Sequence, residues 1–309
     1  MQKTKIISVQ VAYLALHGSV LLFGMTAIFG KLLSDYGFNS NVIVWWRLFF
    51  AVLLYSLVPG VVSKCKKLPP AQIKKIMLVG SIVGLHWLLF YASIALSNAS
   101  VGAICISTLS LFTALFEPFM HKKRLSFTDL GFGLMVIPGI LLVLQFLPDH
   151  YYLGFFVGLV SAALSAIFSS YNRLIILEGI DSITVTYLEM LSAFILVSLF
   201  LPFLFGFIPN LKFALSLNDV FIFVCFAIFS TLLPFFLNVI SYQQISAFSS
   251  NLAFSLEPVY SIIIAIYLFD EHLQLGAGFY LGLAIIISTV IFYPIVVNYM
   301  KKKEIRNLK

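Results

Sequence analysis

Charge is what this chain has least of. Its 309 residues include nineteen Lys and Arg and twelve Asp and Glu, so that 10% are charged against 61% apolar. A soluble domain runs about 25% charged and about 45–50% apolar. One globular core cannot hide that much apolar surface, which excludes a soluble enzyme. Cysteine is scarce as well. Cys65, Cys105 and Cys225 show no CxxC spacing and make an odd count, so neither a disulfide framework nor a thiolate metal site is indicated. An HExxH pair is missing, and Gly30-Lys31 runs on into Leu32 rather than Ser or Thr. A zincin-type metal site and ATP-driven pumping within this chain are therefore not expected. The formal net charge of +7 does not indicate nucleic acid, because the basic residues fall between apolar runs rather than on one soluble face.

What is present is a succession of apolar runs. The mean hydropathy is +1.06, 32 residues are Phe, and a bilayer is crossed by roughly 20 apolar residues in helical form. Runs separated by charge, Pro or Asn predict ten spans, at 7–34, 42–63, 73–97, 99–120, 127–147, 152–177, 183–206, 217–241, 247–269 and 275–299. A membrane barrel would show segments of about 10 residues alternating in hydrophobicity, whereas Val290 to Val297 is continuously apolar. The first run is too long for a signal-peptide core and is read as a span. With the N-terminus inside, fifteen of the nineteen basic residues fall on the cytoplasmic side, in the clusters 3–5, 64–75, 122–124 and 301–309. That asymmetry orients a polytopic protein and predicts both termini in the cytoplasm. Lys31, Arg47 and Lys212 fall at outer ends of spans, and Arg173 near an inner one.

The chain also carries a faint internal repeat. Shifted by 148 residues, Leu88 to Leu125 lies on Phe236 to Leu273 without a gap, pairing Ser93 with Ser241, Ala99 with Ala247 and Ser107 with Ser255. A shift of 142 sets Arg47 on Glu189. Two halves of five spans result, 7–147 and 152–299, followed by a basic cytoplasmic tail at 300–309. An odd number of spans per half inverts the second half in the membrane. Inverted repeats are characteristic of secondary transporters, with the substrate site near the midplane between the halves.

The residues resemble a known family. Phe23-Gly24-x-Thr26, then Lys31, then Arg47-Leu48 is similar to the amino-terminal signature of the EamA-type branch of the drug/metabolite transporter superfamily. Ser255-Leu256-Glu257-Pro258-Val259, followed by Glu271-His272-Leu273 and Gly282, resembles the ninth-span motif, acidic turn and last-span Gly of that family. The departures are Ser110 at the first-half proline position, Lys123 at its acidic turn, and Phe23-Gly24 in place of Trp-Gly. The resemblance implies an all-α fold of ten helices in a 5+5 inverted repeat. It also implies a carrier for small metabolites, often an exporter of amino acids, with a cavity built from spans 1, 3, 4, 6, 8 and 9.

Glu257 stands out within this frame. It lies about ten residues into its span, near the midplane at about 1.5 Å rise per residue, where an ionised group needs a partner, a cavity or a proton. Pro258 has no N–H, frees a carbonyl one turn back and marks a hinge. The carboxyl would bind a substrate amine or take up a proton, or else serve as a protonated acid bonded to a neighbouring helix. His86 and His17 fall at interior depths and can titrate near neutral pH, as relay partners of Glu257 or as neutral side chains satisfied by a Ser or carbonyl. Trp87, Tyr91, Ser110, Asn172 and Asn238 supply the aromatic and hydrogen-bonding groups that a ligand pocket requires. Arg47 and Glu189 are read as end anchors on opposite faces, and Glu117 as pairing with the basic run 122–124 or solvated. Gly80/Gly84, Gly154/Gly158 and Gly278/Gly282 have the spacing that lets helices approach closely.

The sequence thus predicts a proton-coupled secondary transporter in the cell membrane that exports small organic solutes by alternating access, with no cofactor. The alternatives are a membrane-embedded lipid-modifying enzyme, and a multidrug or nucleotide-sugar carrier of the same superfamily. The enzyme would want a catalytic cluster near a membrane face, which the sequence does not display. Few fixed charges lean against a multiply charged phosphate.

Overall fold

The computed structural model describes residues 7–97, 99–138, 151–207, 211–257, 259–260 and 277–307. The described residues are helical, with no strand among them. Five stretches among them are long and apolar enough to cross a membrane: Val9–Asp35, Pro70–Leu96, Tyr152–Leu177, Ser182–Pro202 and Leu217–Ser241. Shorter apolar helices cover Ser40–Ser56, Cys105–Met120, Phe127–Pro138 and Ile287–Met300.

The first stretch is two helices, α1 (Val9–Gly24) and α2 (Thr26–Asp35), joined through Met25, whose N–H reaches the Leu22 carbonyl in a tightened turn. Ser8 caps α1 by accepting the Val11 N–H at 3.3 Å, which satisfies one orphan donor of a helix start. Helix α3 (Ser40–Ser56) is capped by Asn39 and ends earlier than the apolar run 42–63 implies. Pro59 has no N–H, and Gly60 takes a left-handed φ of 81°, so the chain turns and restarts as α4 (Val61–Lys66). Next come α5 (Pro70–Leu96), α6 (Ala99–Ser107), α7 (Leu109–Met120) and α8 (Phe127–Leu134). The second half supplies α9 (Tyr152–Leu177) and α10 (Ser182–Phe207). It continues with α11 (Leu217–Ala227), a π-helical segment at Ile228–Leu232, α12 (Leu233–Ser241), α13 (Ala247–Phe254) and α14 (Ala277–Asn307).

Helix α5 is the centre of the packing, with α9 and α10 both lying along it. Small residues make this possible. A Cβ built on Gly80 would stand 2.5 Å from the Glu189 backbone of α10, and one on Gly158 of α9 would stand 2.5 Å from Cys105 Sγ and 2.6 Å from Ser93 Oγ. Without those Cβ atoms the backbones meet, and Ser93 Oγ donates to the Gly154 carbonyl at 2.7 Å. In a bilayer, where lipid is as apolar as Leu, such close packing and interhelical hydrogen bonds hold helices together.

Side chains also tie the loops into two opposite ends. At one end Lys64 of α4 pairs with Asp181 at 3.3 Å and Lys75, in the first turns of α5, with Glu178 at 2.5 Å, joining both helices to 178–181. At the other, Lys212 donates to the Tyr36 carbonyl at 2.9 Å and lies 4.0 Å from the Phe38 ring centroid. An aromatic cluster thickens this second end: Trp45 Nε1 bonds Ser198 Oγ at 2.9 Å, and Trp46 Nε1 bonds the Phe213 carbonyl at 3.1 Å.

Candidate functional site

Four departures from α-helical geometry converge on one cavity of ≈ 660 Å³, a volume that includes its open mouth. Phe23 and Thr26 line it on either side of the Met25 turn, and Ile106 and Leu109 on either side of the break at Thr108. Phe254 and Glu257 flank the turn at Ser255 and Leu256. The fourth departure, the π-helical segment 228–232, holds the cavity's cation. The breaks at Thr108 and Ser255 lie within a residue of each other under the 148-residue shift, so the repeat survives in backbone geometry where identities have nearly vanished. Irregular backbone inside a membrane is tolerated where it lines a cavity, and discontinuous helices are how transporters build their sites.

Arg47 descends from α3 into this cavity and is 2% exposed. Its position follows from local chemistry on another helix. Pro234 has no N–H, so the Ser230 carbonyl loses its usual i+4 donor, and the π turn shifts the Leu233 N–H back to the Ile228 carbonyl. Arg47 Nη2 donates to the Ser230 carbonyl at 2.6 Å and Nε to Thr231 Oγ1 at 2.5 Å. The neighbouring carbonyls are satisfied in the same way, Leu232 by Tyr55 Oη at 2.9 Å and Pro234 by Ser19 Oγ at 2.7 Å. The guanidinium carbon lies 4.3 Å from the Trp87 ring centroid and 4.9 Å from that of Phe226, a cation–π sandwich. Glu257 and Tyr91 are within its electrostatic reach. Among the described residues the cavity thus presents one cationic and one acidic group between aromatic walls from Phe23, Trp87, Phe90, Phe168, Phe235 and Phe254.

Three layers of hydrogen bonds lie between the cavity and the end that carries Ile7. In the first, Asn251 Nδ2 donates to Thr113 Oγ1 at 2.7 Å and Ser169 Oγ at 2.6 Å, and Ser250 Oγ donates to Asn238 Oδ1 at 2.8 Å. In the second, Glu117 accepts the Phe248 N–H at 2.9 Å, at the start of α13, while Arg173 donates to the carbonyls of Tyr242 and Ile245. The third joins Ile7 to Gln243 and Gln244 through bonds of 3.1 and 3.0 Å. Together they join spans 1, 4, 6, 8 and 9 to one another at this end.

The sequence pattern of the EamA-like transporter family matches residues 10–145 and again 151–293. The chain belongs to that family. It is a multi-pass membrane protein of a transporter family, built from two EamA repeats. A solved structure described only as the crystal structure of a protein superposes with a TM-score of 0.71 at 14% identity, covering 94% of this chain and 98% of that one. No curated protein matches the chain.

Within this EamA fold the expected site residues separate into three groups. His86, Trp87, Asn238 and Glu257 line the cavity. His86 is also tied to α9, its Nδ1 lying 2.9 Å from the Ser161 carbonyl and 2.8 Å from Ser161 Oγ. Tyr91 stands against the Arg47 guanidinium, and Ser110 Oγ is buried without a hydrogen-bond partner among the described residues; neither lines the cavity. Asn172 lies away from it beside Glu189, and His17 is exposed on the outer face of α1. The inward stripe of α1 runs through Ala12, Leu16, Ser19 and Phe23, and His17 falls off that stripe. Pro258 and the turn Asp270-Glu271-His272 lie outside the described residues.

Three further readings are corrected. Arg47 is no end anchor: α3 begins at Ser40, so seven residues at about 1.5 Å each carry it about 10 Å inward. Glu189 is no end anchor either, being fully buried against Gly80. Glu117 turns inward, 8% exposed, to the start of α13 instead of to residues 122–124. The cavity residues Thr26, Ser165, Ser169 and Asn251 were not among the expected site residues. Thr26 was visible in the Phe23-Gly24-x-Thr26 motif; the other three carry no local signal.

Proposed function

We propose that this protein is a secondary active transporter that exports small zwitterionic metabolites, amino acids with apolar side chains foremost, by alternating access and in exchange for protons. The observation that carries the reading is the pairing of Arg47 and Glu257 on one apolar cavity. A free amino acid needs a cationic partner for its carboxylate and an acidic partner for its ammonium. Arg47 is held rigidly by Ser230 and Thr231, so little rotamer freedom is lost when it takes a carboxylate. Glu257 supplies the opposite charge at an adjacent helix break. The aromatic wall suits an apolar side chain, and a single Arg does not suit a nucleotide sugar or a sugar phosphate, whose phosphates want several cations.

The hydrogen-bonded layers at the Ile7 end support alternating access. Export requires them to part, and the substrate to enter from that side, which the basic loops assign to the cytoplasm of a cell membrane. Counterflow tests the reading: proteoliposomes preloaded with unlabelled leucine should accumulate external radiolabelled leucine transiently, and phenylalanine should compete. No flux of leucine, phenylalanine or any other neutral amino acid would overturn it.

A further inference from the structure

The cavity does not hold the most deeply buried acid among the described residues. Glu189, the eighth residue of α10, has no exposed surface. Its Oε2 accepts one hydrogen bond, from Asn172 Nδ2 at 3.4 Å, and Oε1 has no hydrogen-bond partner among the described residues. No Lys, Arg or His nitrogen among them lies within ion-pair distance of it. Asn172 Oδ1 is likewise buried and unbonded. Two orphan acceptors therefore sit on two side chains already in contact. A carboxylate here would be a charge without counter-charge among the described residues, with one long hydrogen bond to Oε2 and none to Oε1, which an intramembrane site disfavours strongly. A proton changes both terms: the charge disappears, the acid gains a donor, and Asn172 Oδ1 is an acceptor for it on the neighbouring side chain.

Glu189 is also placed to communicate with the cavity. Gly80 of α5 presses on its backbone. The titratable groups around it are Tyr55 of α3 and Tyr242, which follows α12, both within electrostatic reach. Tyr55 Oη is committed to the Leu232 carbonyl, next to the segment that holds Arg47. Tyr242 Oη accepts from Asn238 Nδ2 of the cavity at 3.2 Å. The Tyr242 carbonyl accepts from Arg173, and Arg173 and Glu117 both act electrostatically on this tyrosine. Tyr242 thus bonds a cavity-lining residue, lies within electrostatic reach of the buried acid and is held by the layer that contains Arg173.

We propose that Glu189, with Asn172 as its partner, is the proton-carrying site of this transporter. It holds a proton in the substrate-free form whose layers at the Ile7 end are closed. Parting of the 242–246 turn lets water reach the acid, and the proton leaves to that water while the carboxylate left behind becomes hydrated. The layers then close over bound substrate, substrate leaves on the other side, and reprotonation from that side restores the protonated, substrate-free closed form. The proposal rests on the transporter reading, and names Glu189 rather than Glu257 as the group that moves the proton.

Two measurements on the full chain separate the claims. Glu189→Gln keeps a donor and an acceptor but cannot exchange a proton. Leucine counterflow should persist in this variant, and accumulation driven by a pH gradient should fall to the level seen without one. Undiminished pH-driven accumulation by Glu189→Gln would overturn the proposal. The second measurement needs no substrate. Infrared spectra of purified protein at neutral pH should show a protonated-carboxyl band that is missing in Glu189→Gln, retained in Glu257→Gln and shifted in Asn172→Leu. A band unaffected by both Glu189→Gln and Asn172→Leu would overturn it even if leucine is not transported, so failure of the proton site and failure of the transport reading give different results.

Discussion

Arg47 and Trp87 face each other across 4.3 Å at the wall of the cavity, one from α3 and the other from α5. The indole supplies a π face to a guanidinium that has left water, and Ser230 and Thr231 take two of its N–H groups. Replacing Arg47 by Lys keeps the charge and loses the fork and the stacking. A charge-assisted hydrogen bond contributes about 1.5–3 kcal/mol, so losing one weakens leucine binding by roughly 10- to 100-fold, each factor of ten being about 1.4 kcal/mol. The expected result for Arg47→Lys is a rise of that size in the half-saturating leucine concentration for counterflow. An unchanged value would remove Arg47 from the binding site.

Glu257 is tested by the shape of the ligand. If its carboxyl receives the ammonium group, wild-type protein should bind leucine far better than the des-amino acid of the same skeleton. Glu257→Gln should narrow that preference by about tenfold or more, the cost of one charge-assisted bond. Competition of both ligands against radiolabelled leucine reads it directly. Equal preference in wild type and variant would leave the acid without a role in recognition.

Depth along a helix was legible in the sequence, and direction around it was not. The run 152–177 coincides with α9, because apolar length alone sets where a helix can lie in a bilayer. The 148-residue shift related Ser107 to Ser255 but did not show that the helices break there: 99–120 and 247–269 read as unbroken apolar runs. His86 and His17 looked alike from depth, yet one lines the cavity and the other faces outward, because helix phase depends on which neighbours pack. Arg47 was missed for a related reason. The groups that stabilise it lie 183 and 184 residues away, and no local pattern announces a carbonyl freed by Pro234. Polar residues such as Ser169 and Asn251 become a layer only after three helices meet.

Close helix approach gives a stability prediction with an internal control. A Cβ at Gly80 would lie 2.5 Å from backbone atoms of Glu189, which cannot swing aside as a side chain can. Gly80→Ala should therefore force α5 and α10 apart and destabilise the protein by about 1–3 kcal/mol, the usual range for overpacking. At Gly131 in α8, a methyl group would meet nothing within 4 Å. Gly131→Ala should be neutral or stabilising by up to about 1 kcal/mol through helix propensity. Thermal unfolding in detergent compares the two, and equal effects would contradict the packing described for α5.

The layers at the Ile7 end should be separable by weakening one contact. Glu117 accepts the Phe248 N–H at the first turn of α13, where a carboxylate also meets the positive end of the helix dipole. Arg173, within electrostatic reach of Glu117, holds the turn before that helix through the carbonyls of Tyr242 and Ile245. Glu117→Ala removes the acceptor and leaves both the N–H and the Arg173 charge less satisfied in the closed form, while the open form exposes them to water. The closed state alone is penalised, so the population shifts toward opening. A loss of about 1.5–3 kcal/mol corresponds to a shift of roughly 10- to 100-fold. Ser250→Cys, buried in the layer next to the cavity, reports it through its rate of modification by a membrane-impermeant maleimide added at the Ile7 side. The rate should rise about tenfold or more in the Glu117→Ala background and fall back with Glu117→Gln, whose amide oxygen still accepts from Phe248. Equal rates in all three backgrounds would mean that this contact does not hold the cavity shut.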